Sequence, residues 1–179
     1  MGKTKKYFTC FTDIHTVVAM ALFIALSIVF GKYLAFNLTS AIRISLENLP
    51  VIIAAVAYGP VAGATVGIIA DLIGWLLVGY SINPIITLGA AAIGLTAGFM
   101  AEIKINKFIR SFTIVIPAHI IGSVIIKTIG LYIFYRLPLW LTLGTRAGVY
   151  AITAAAEGVI LYILLSQKVI QRFGGKRKK

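Results

Sequence analysis

Asp71, Lys127, Arg146 and Glu157 are ionisable side chains set inside long apolar runs of this 179-residue chain. A charge in a membrane-spanning segment costs a few kcal/mol or more, so each is by default a functional-site hypothesis. Arg146, Tyr150, Thr153 and Glu157 follow one another at intervals of four, three and four residues. That rhythm places all four on one face of a helix, and such a polar stripe belongs against a bundle interior rather than lipid. Lys127 precedes Tyr135, the end of its apolar run, by eight residues, roughly 12 Å at 1.5 Å per residue. A third concentration is "RISLEN", where Arg43, Ser45, Glu47 and Asn48 stand just ahead of Pro50. Arg146, near one end of its run, has room for its guanidinium to snorkel or to meet a ligand. Two other uses of these groups exist. Asp71 and Lys127 could pair with each other and only fix packing, or Asp71 and Glu157 could form an acid–base pair in a small intramembrane enzyme.

Other chemistry is missing from the sequence. There is no G-x-x-x-x-G-K-[ST] loop for nucleotide phosphates, and no H-E-x-x-H, G-x-S-x-G or Cys/His cluster. His15 and His119 have no partner at metal-ligand spacing, so each is given a structural or interfacial role and no metal or cofactor is expected. Cys10 is the single cysteine, which excludes an internal disulfide.

The elements that must hold these groups follow from composition. Sixty per cent of residues are hydrophobic and 12% are charged, against about 25% charged in a soluble domain. The bilayer is the natural solvent, and the fold class is an all-α integral membrane protein. The net charge of +12 does not indicate nucleic acid. Twelve of the seventeen basic residues fall in three places: Lys3, Lys5 and Lys6; Lys104, Lys107 and Arg110; and the run from Lys168 to Lys179. Those are the segments that the positive-inside rule keeps in the cytoplasm. The apolar run after the basic start is long and lacks a convincing cleavage site, so it is read as a retained first helix.

Six spans are predicted: Ile14 to Leu34, Ser45 to Tyr58, Val61 to Val78, Pro84 to Ala101, Ser111 to Tyr135 and Leu143 to Ser166. Both termini then lie in the cytoplasm, and the loops near 35–44, 79–84 and 136–142 face outward. Residues 1–13 form a basic N-terminus, 14–166 the membrane domain and 167–179 a basic tail. Gly63, Gly67, Ala70 and Gly74, with Gly89, Ala90, Gly94 and Gly98, allow close helix contact where no hydrophobic force between helices exists. Span two has about 14 residues, roughly 21 Å, short of a ~30 Å hydrocarbon core. A short, Pro-bearing span is the best sequence pointer to a membrane binding site. Either Ser45 caps that helix and Pro50 kinks it, or the helix starts near Leu49 with Pro50 in its first turn. Tyr33, Phe36, Trp75, Tyr80, Tyr132, Tyr135, Trp140 and Tyr150 gather at the outer end, as an interfacial belt or a surface for a flat ligand. Six spans without a nucleotide site point to a binding subunit that draws energy from a partner. A self-contained carrier or channel is the rival reading.

The segment "RISLENLPVIIAAVAYGPVAGATVGIIADLIG" with "GYSINPIITLGAAAIG" resembles the substrate-binding S-components of energy-coupling factor (ECF) vitamin transporters, and most closely their folate family. The resemblance covers essentially the whole chain. It implies a multi-pass protein of the bacterial plasma membrane, with a small-molecule vitamin as ligand. It also implies a complex with the coupling subunit EcfT and two cytoplasmic ATPases. Ala21 and Ala25 match the family's A-x-x-x-A docking pattern. Folate suits the inventory: Arg43, Lys127 or Arg146 would hold its glutamyl carboxylates, and Asp71 or Glu157 would accept from its pterin N–H edge. Trp75, Tyr80 or Tyr150 would cover the ring. Glu47 and Asn48 would line or close the lid, and Asn83, at the break before span four, completes the candidate set. Another anionic or heteroaromatic vitamin, such as pantothenate or a thiamine-related compound, would satisfy much of the same chemistry.

Overall fold

The computed structural model describes residues 11–37, 43–79, 82–167 and 170, with only the backbone of Asn37 and Arg43. The expectations for Lys3, Lys5, Lys6, Tyr80 and the basic tail from Lys168 therefore lie outside the described residues, as does that for the Arg43 side chain.

Asp13 begins the first helix, α1 (Ile14–Lys32), by accepting from the amide of His15. A hydrogen bond from the Thr16 hydroxyl holds the Asp13 carboxyl below the usual carboxylate range. The chain then reverses through a two-residue antiparallel ribbon, β1 (Phe36–Asn37) with β2 (Arg43–Ile44), in which Phe36 faces Ile44 and Asn37 faces Arg43. This short pairing lies within the stretch 35–44, the expected connection between the first two spans. Pairing across the ribbon gives amides and carbonyls of these two strands a partner.

α2 (Asn48–Tyr58) starts three residues after Ser45 and places Pro50 in its first turn. No intrahelical partner exists there for an amide, so proline costs nothing. At 11 residues the helix is about 16 Å long. Nine of those residues are buried, because α2 packs against α1, α3 and α4 instead of facing lipid. Gly59 adopts φ 100°, a left-handed conformation that a Cβ would resist, and so lets α3 (Pro60–Val78) begin at the next residue. Asn83 caps α4 (Pro84–Met100) by accepting from the amides of Ile85 and Ile86, and its own amide donates to the Gly130 carbonyl at 3.1 Å.

α5 (Lys107–Tyr135) is continuous but irregular. Pro117 lacks the amide that would bond one turn back. From His119 to Ile126 the ladder widens to π-helical, and ordinary α-helix resumes at Lys127. α6 (Leu139–Ser166) is the last long helix. Both α5 and α6 begin four residues earlier than their apolar runs suggest. Among the described residues, α1, α3, α5 and α6 are long and apolar enough to cross a membrane, while α2 and α4 are shorter apolar helices.

The bundle is tightest where α3 meets α4. A Cβ on Gly94 would fall 2.2 Å from the Gly63 carbonyl carbon and 2.4 Å from the Ala64 nitrogen. These are backbone atoms of a neighbouring helix, which cannot swing aside. Gly94→Ala should therefore lower the thermal unfolding midpoint in detergent, with an overpacking cost of about 1–3 kcal/mol. Gly144→Ala, with nothing within 4 Å of its added carbon, should leave the midpoint unchanged or raise it slightly. Equal behaviour of the two variants would contradict the close helix contact.

Candidate functional site

One end of the bundle, where α1 passes to α2, α3 to α4 and α5 to α6, opens into a cavity of about 300 Å³. Its walls come from the last turns of α1 (Ser27, Gly31, Lys32), the strip Ser45 to Val51, the second half of α3, the start of α4 and the facing parts of α5 and α6. Seven of the eleven candidate binding residues line it: Glu47, Asn48, Asp71, Trp75, Lys127, Arg146 and Tyr150. They lie far apart in sequence and meet because α2 sinks into the bundle and draws its N-terminal strip over the space.

That strip is pinned from two sides. The Ser27 hydroxyl donates to the Glu47 carbonyl at 2.6 Å. The Glu47 carboxylate meets the buried Lys127 ammonium at 3.7 Å. Lys127 thus pairs with Glu47, not with Asp71 as the packing alternative would have it. Gly31 makes room, since a Cβ there would fall 2.9 Å from Glu47 Oε2. Asn48 follows as a buried residue, and its side-chain Nδ2 has no hydrogen-bond partner among the described residues. A buried donor left unpaired costs about 1–3 kcal/mol, which a ligand acceptor would relieve.

Asp71 is held on its own helix and on the next. Its Oδ2 accepts from Trp75 Nε1 at 3.1 Å and from the Thr87 hydroxyl at 2.7 Å. Oδ1 takes part in neither bond, so one acceptor faces outside this pair. The Lys32 ammonium lies 5.8 Å from the centre of the Trp75 ring, a cation–π contact that places a further positive charge at the cavity wall.

Opposite them, Arg146 donates from both Nε and Nη2 to the Ser123 carbonyl, at 3.0 and 2.9 Å, and from Nη2 to the Tyr150 hydroxyl at 3.3 Å. Ser123 lies within the π-helical segment, where the widened ladder leaves a carbonyl able to accept from outside. Nη1 takes no part in these bonds. The cavity thus gathers three cations, Lys32, Lys127 and Arg146, against two carboxylates, Glu47 and Asp71. That balance favours an anion.

Two candidates lie elsewhere. Asn83 is buried and spends its side chain on capping α4 and bonding to α5. Glu157 is fully buried deeper in the bundle and meets His119 Nε2 at 2.7 Å. Both are apart from the cavity lining. Ala21 and Ala25 sit on the exposed side of α1. Sequence reasoning passed over Lys32, Ser27 and Thr87. Lys32 carried the same signal as Lys127, a cation within an apolar run, but its place in a last helical turn disguised it as an end charge. No sequence signal marks Thr87, which gains its role only where α3 and α4 cross.

Comparison with known proteins agrees with this architecture. A family model for the substrate-specific component of ECF transporters matches residues 15–173. A crystal structure of FolT bound with folic acid superposes with a TM-score of 0.72 at 22% identity, covering 87% of this chain and 95% of that one. The S component of a bacterial ECF transporter gives 0.64 at 22% identity, over 86% and 94%. At such identities the likeness is one of fold. An uncharacterized protein of Mycoplasma pneumoniae is 35% identical over 69 residues, and the chain spans only about 24% of that relative's length. With the family model running through all six described helices, from α1 to beyond α6, the chain belongs to the substrate-specific components of ECF transporters, a family of multi-pass membrane proteins.

Proposed function

We propose that the protein is the high-affinity binding subunit through which folate or a folate derivative enters the cell. The observation that carries this reading is the convergence of Lys127, Arg146, Asp71 and the unpartnered amide of Asn48 on one cavity at the end of the bundle. Folate brings two tail carboxylates for the cations and adjacent N–H donors on its pterin for a carboxylate. Asp71 Oδ1 is the acceptor left for that edge, so a single hydrogen bond to one carboxylate oxygen replaces the bidentate pairing that the sequence suggested. Asn48 donates to a ligand carbonyl, and Tyr150 and Trp75 bound the flat ring. The fold shared with a FolT crystallised with folic acid supports this choice of vitamin.

In this reading all six helices form the membrane domain, 14–166, with α2 and α4 crossing inside a collar of longer helices. The basic segments 1–13 and 167–179 and the cluster at Lys104, Lys107 and Arg110 lie in the cytoplasm, and the cavity opens outward. The chain binds without ATP. Movement of the ligand requires the coupling subunit EcfT and two ATPases. Ala21 and Ala25 form part of an α1 face that also exposes Val17, Val18, Leu22, Leu26 and Val29, a surface fitted to a partner helix.

Purified protein in detergent should bind folic acid at one molecule per chain in the absence of ATP. Arg146→Ala should weaken that binding by about tenfold or more, about 1.4 kcal/mol. An unchanged dissociation constant would reject Arg146 as an anion clamp, whereas saturable binding of pantothenate or thiamine without folic acid would overturn the choice of vitamin. Replacing Ala21 and Ala25 together by Trp should preserve folic acid binding but abolish uptake by the assembled transporter. Normal uptake by that variant would remove α1 as the docking face.

A further inference from the structure

At the floor of the cavity, four residues close a ring of contacts and Glu157 joins it from below; the binding reading uses only two of the five, Arg146 and Tyr150. Glu157 on α6 meets His119 Nε2 on α5 at 2.7 Å, and His119 Nδ1 meets the Ser123 hydroxyl at 3.2 Å. The Ser123 carbonyl accepts from Arg146, and Arg146 donates to the Tyr150 hydroxyl. The Tyr150 ring returns to the imidazole of His119, stacked at 5.2 Å between centroids and 29° between planes. His119 and Glu157 are 2% and 0% exposed, so neither reaches the ligand space itself.

Tyr150 is the shared wall between two spaces. On one side lies the polar cavity, and on the other an apolar groove of about 360 Å³ between α5 and α6, walled by Ile116, Ile120 and Ala151 and floored by His119. An aromatic ring beside an apolar hollow of that size has an alternative resting place within it. A ring that turned there would carry its hydroxyl away from Arg146, whose guanidinium would lose one of its two tethers. The imidazole stacks on the ring and lines the same groove. It is itself fixed at both nitrogens, by Glu157 on one and Ser123 on the other. With a hydrogen-bond partner at each nitrogen, the imidazole cannot rotate without breaking one of the two bonds.

We infer that His119 and Glu157 are positioning residues for the binding site: they hold the Tyr150 ring, and through it Arg146, on the cavity side. The inference rests on the cavity being the ligand site. It assigns a role in ligand affinity to a pair that would otherwise be a buried structural contact.

The test is a folic acid titration in detergent, with the thermal midpoint measured in parallel. His119→Ala should weaken binding by about tenfold, a loss of the size expected when one charge-assisted contact is misplaced. His119→Gln keeps a hydrogen-bonding group beside Glu157 and so protects the fold, but it lacks the stacked ring and should show a similar loss. Glu157→Gln still offers an acceptor to the imidazole and should remain within about threefold of the wild type. In an Arg146→Ala background, His119→Ala should add less than about twofold, because both changes remove the same contact. Full affinity in both His119 variants, or losses that multiply in the double variant, would overturn the inference while leaving the binding site in place. A wild-type protein that fails to bind folic acid would overturn the inference and the vitamin assignment together.

Discussion

A charge in hydrocarbon persists only where another polar group meets it, and that constraint orders the upper half of this bundle. Lys127 finds Glu47, Asp71 finds Trp75 and Thr87, and Arg146 finds a backbone carbonyl and a phenol. Each partner comes from a different element, or from a turn away on the same helix. The helices must therefore converge at one end before any of these charges is tolerable. The π-helical stretch of α5 belongs to the same solution. By loosening the ladder after Pro117 it releases the Ser123 carbonyl to Arg146 and sets Lys127 facing the strip that leads into α2.

The opposite requirement shapes the rest of the bundle. Below the cavity, α3 and α4 approach so closely that Gly63 and Gly94 leave no space for side chains. Tight packing there fixes the helix directions, and above that contact the helices part around a polar space. α2 is short because it starts inside the bundle, with its polar entry strip left at the cavity. A full-length second helix would have carried Glu47 and Asn48 out of reach of Lys127 and the cavity.

Much of this was legible in the sequence. The stripe at Arg146, Tyr150 and Glu157 reported a buried helix face because helical periodicity is local. The shortfall of span two reported a site because its length is local as well. What escaped depends on which elements cross. Glu157 shares its stripe with Arg146 yet serves His119, since the stripe descends past the cavity floor into the next layer. Asn83 stood at a plausible site position, but it sits immediately before a proline-led helix and acts as its cap. The two-residue ribbon at Phe36 and Ile44 is too short to show alternation. The π-helical segment leaves no periodic trace that eight residues could reveal. Lys32 was hidden by its terminal place, where lysine usually needs no partner, and Trp75 supplies one.

The central claim is that this cavity receives a molecule with both an anionic end and a flat, N–H-bearing ring. The most direct measurement is mass spectrometry, with absorbance spectra, of the small molecules released when protein purified from folate-supplied cells is denatured. The account predicts a folate-class compound in about equal molar amount to the chain, as expected for one high-affinity site. Release of a compound lacking a carboxylate or a heteroaromatic ring, or of no small molecule at all, would contradict it.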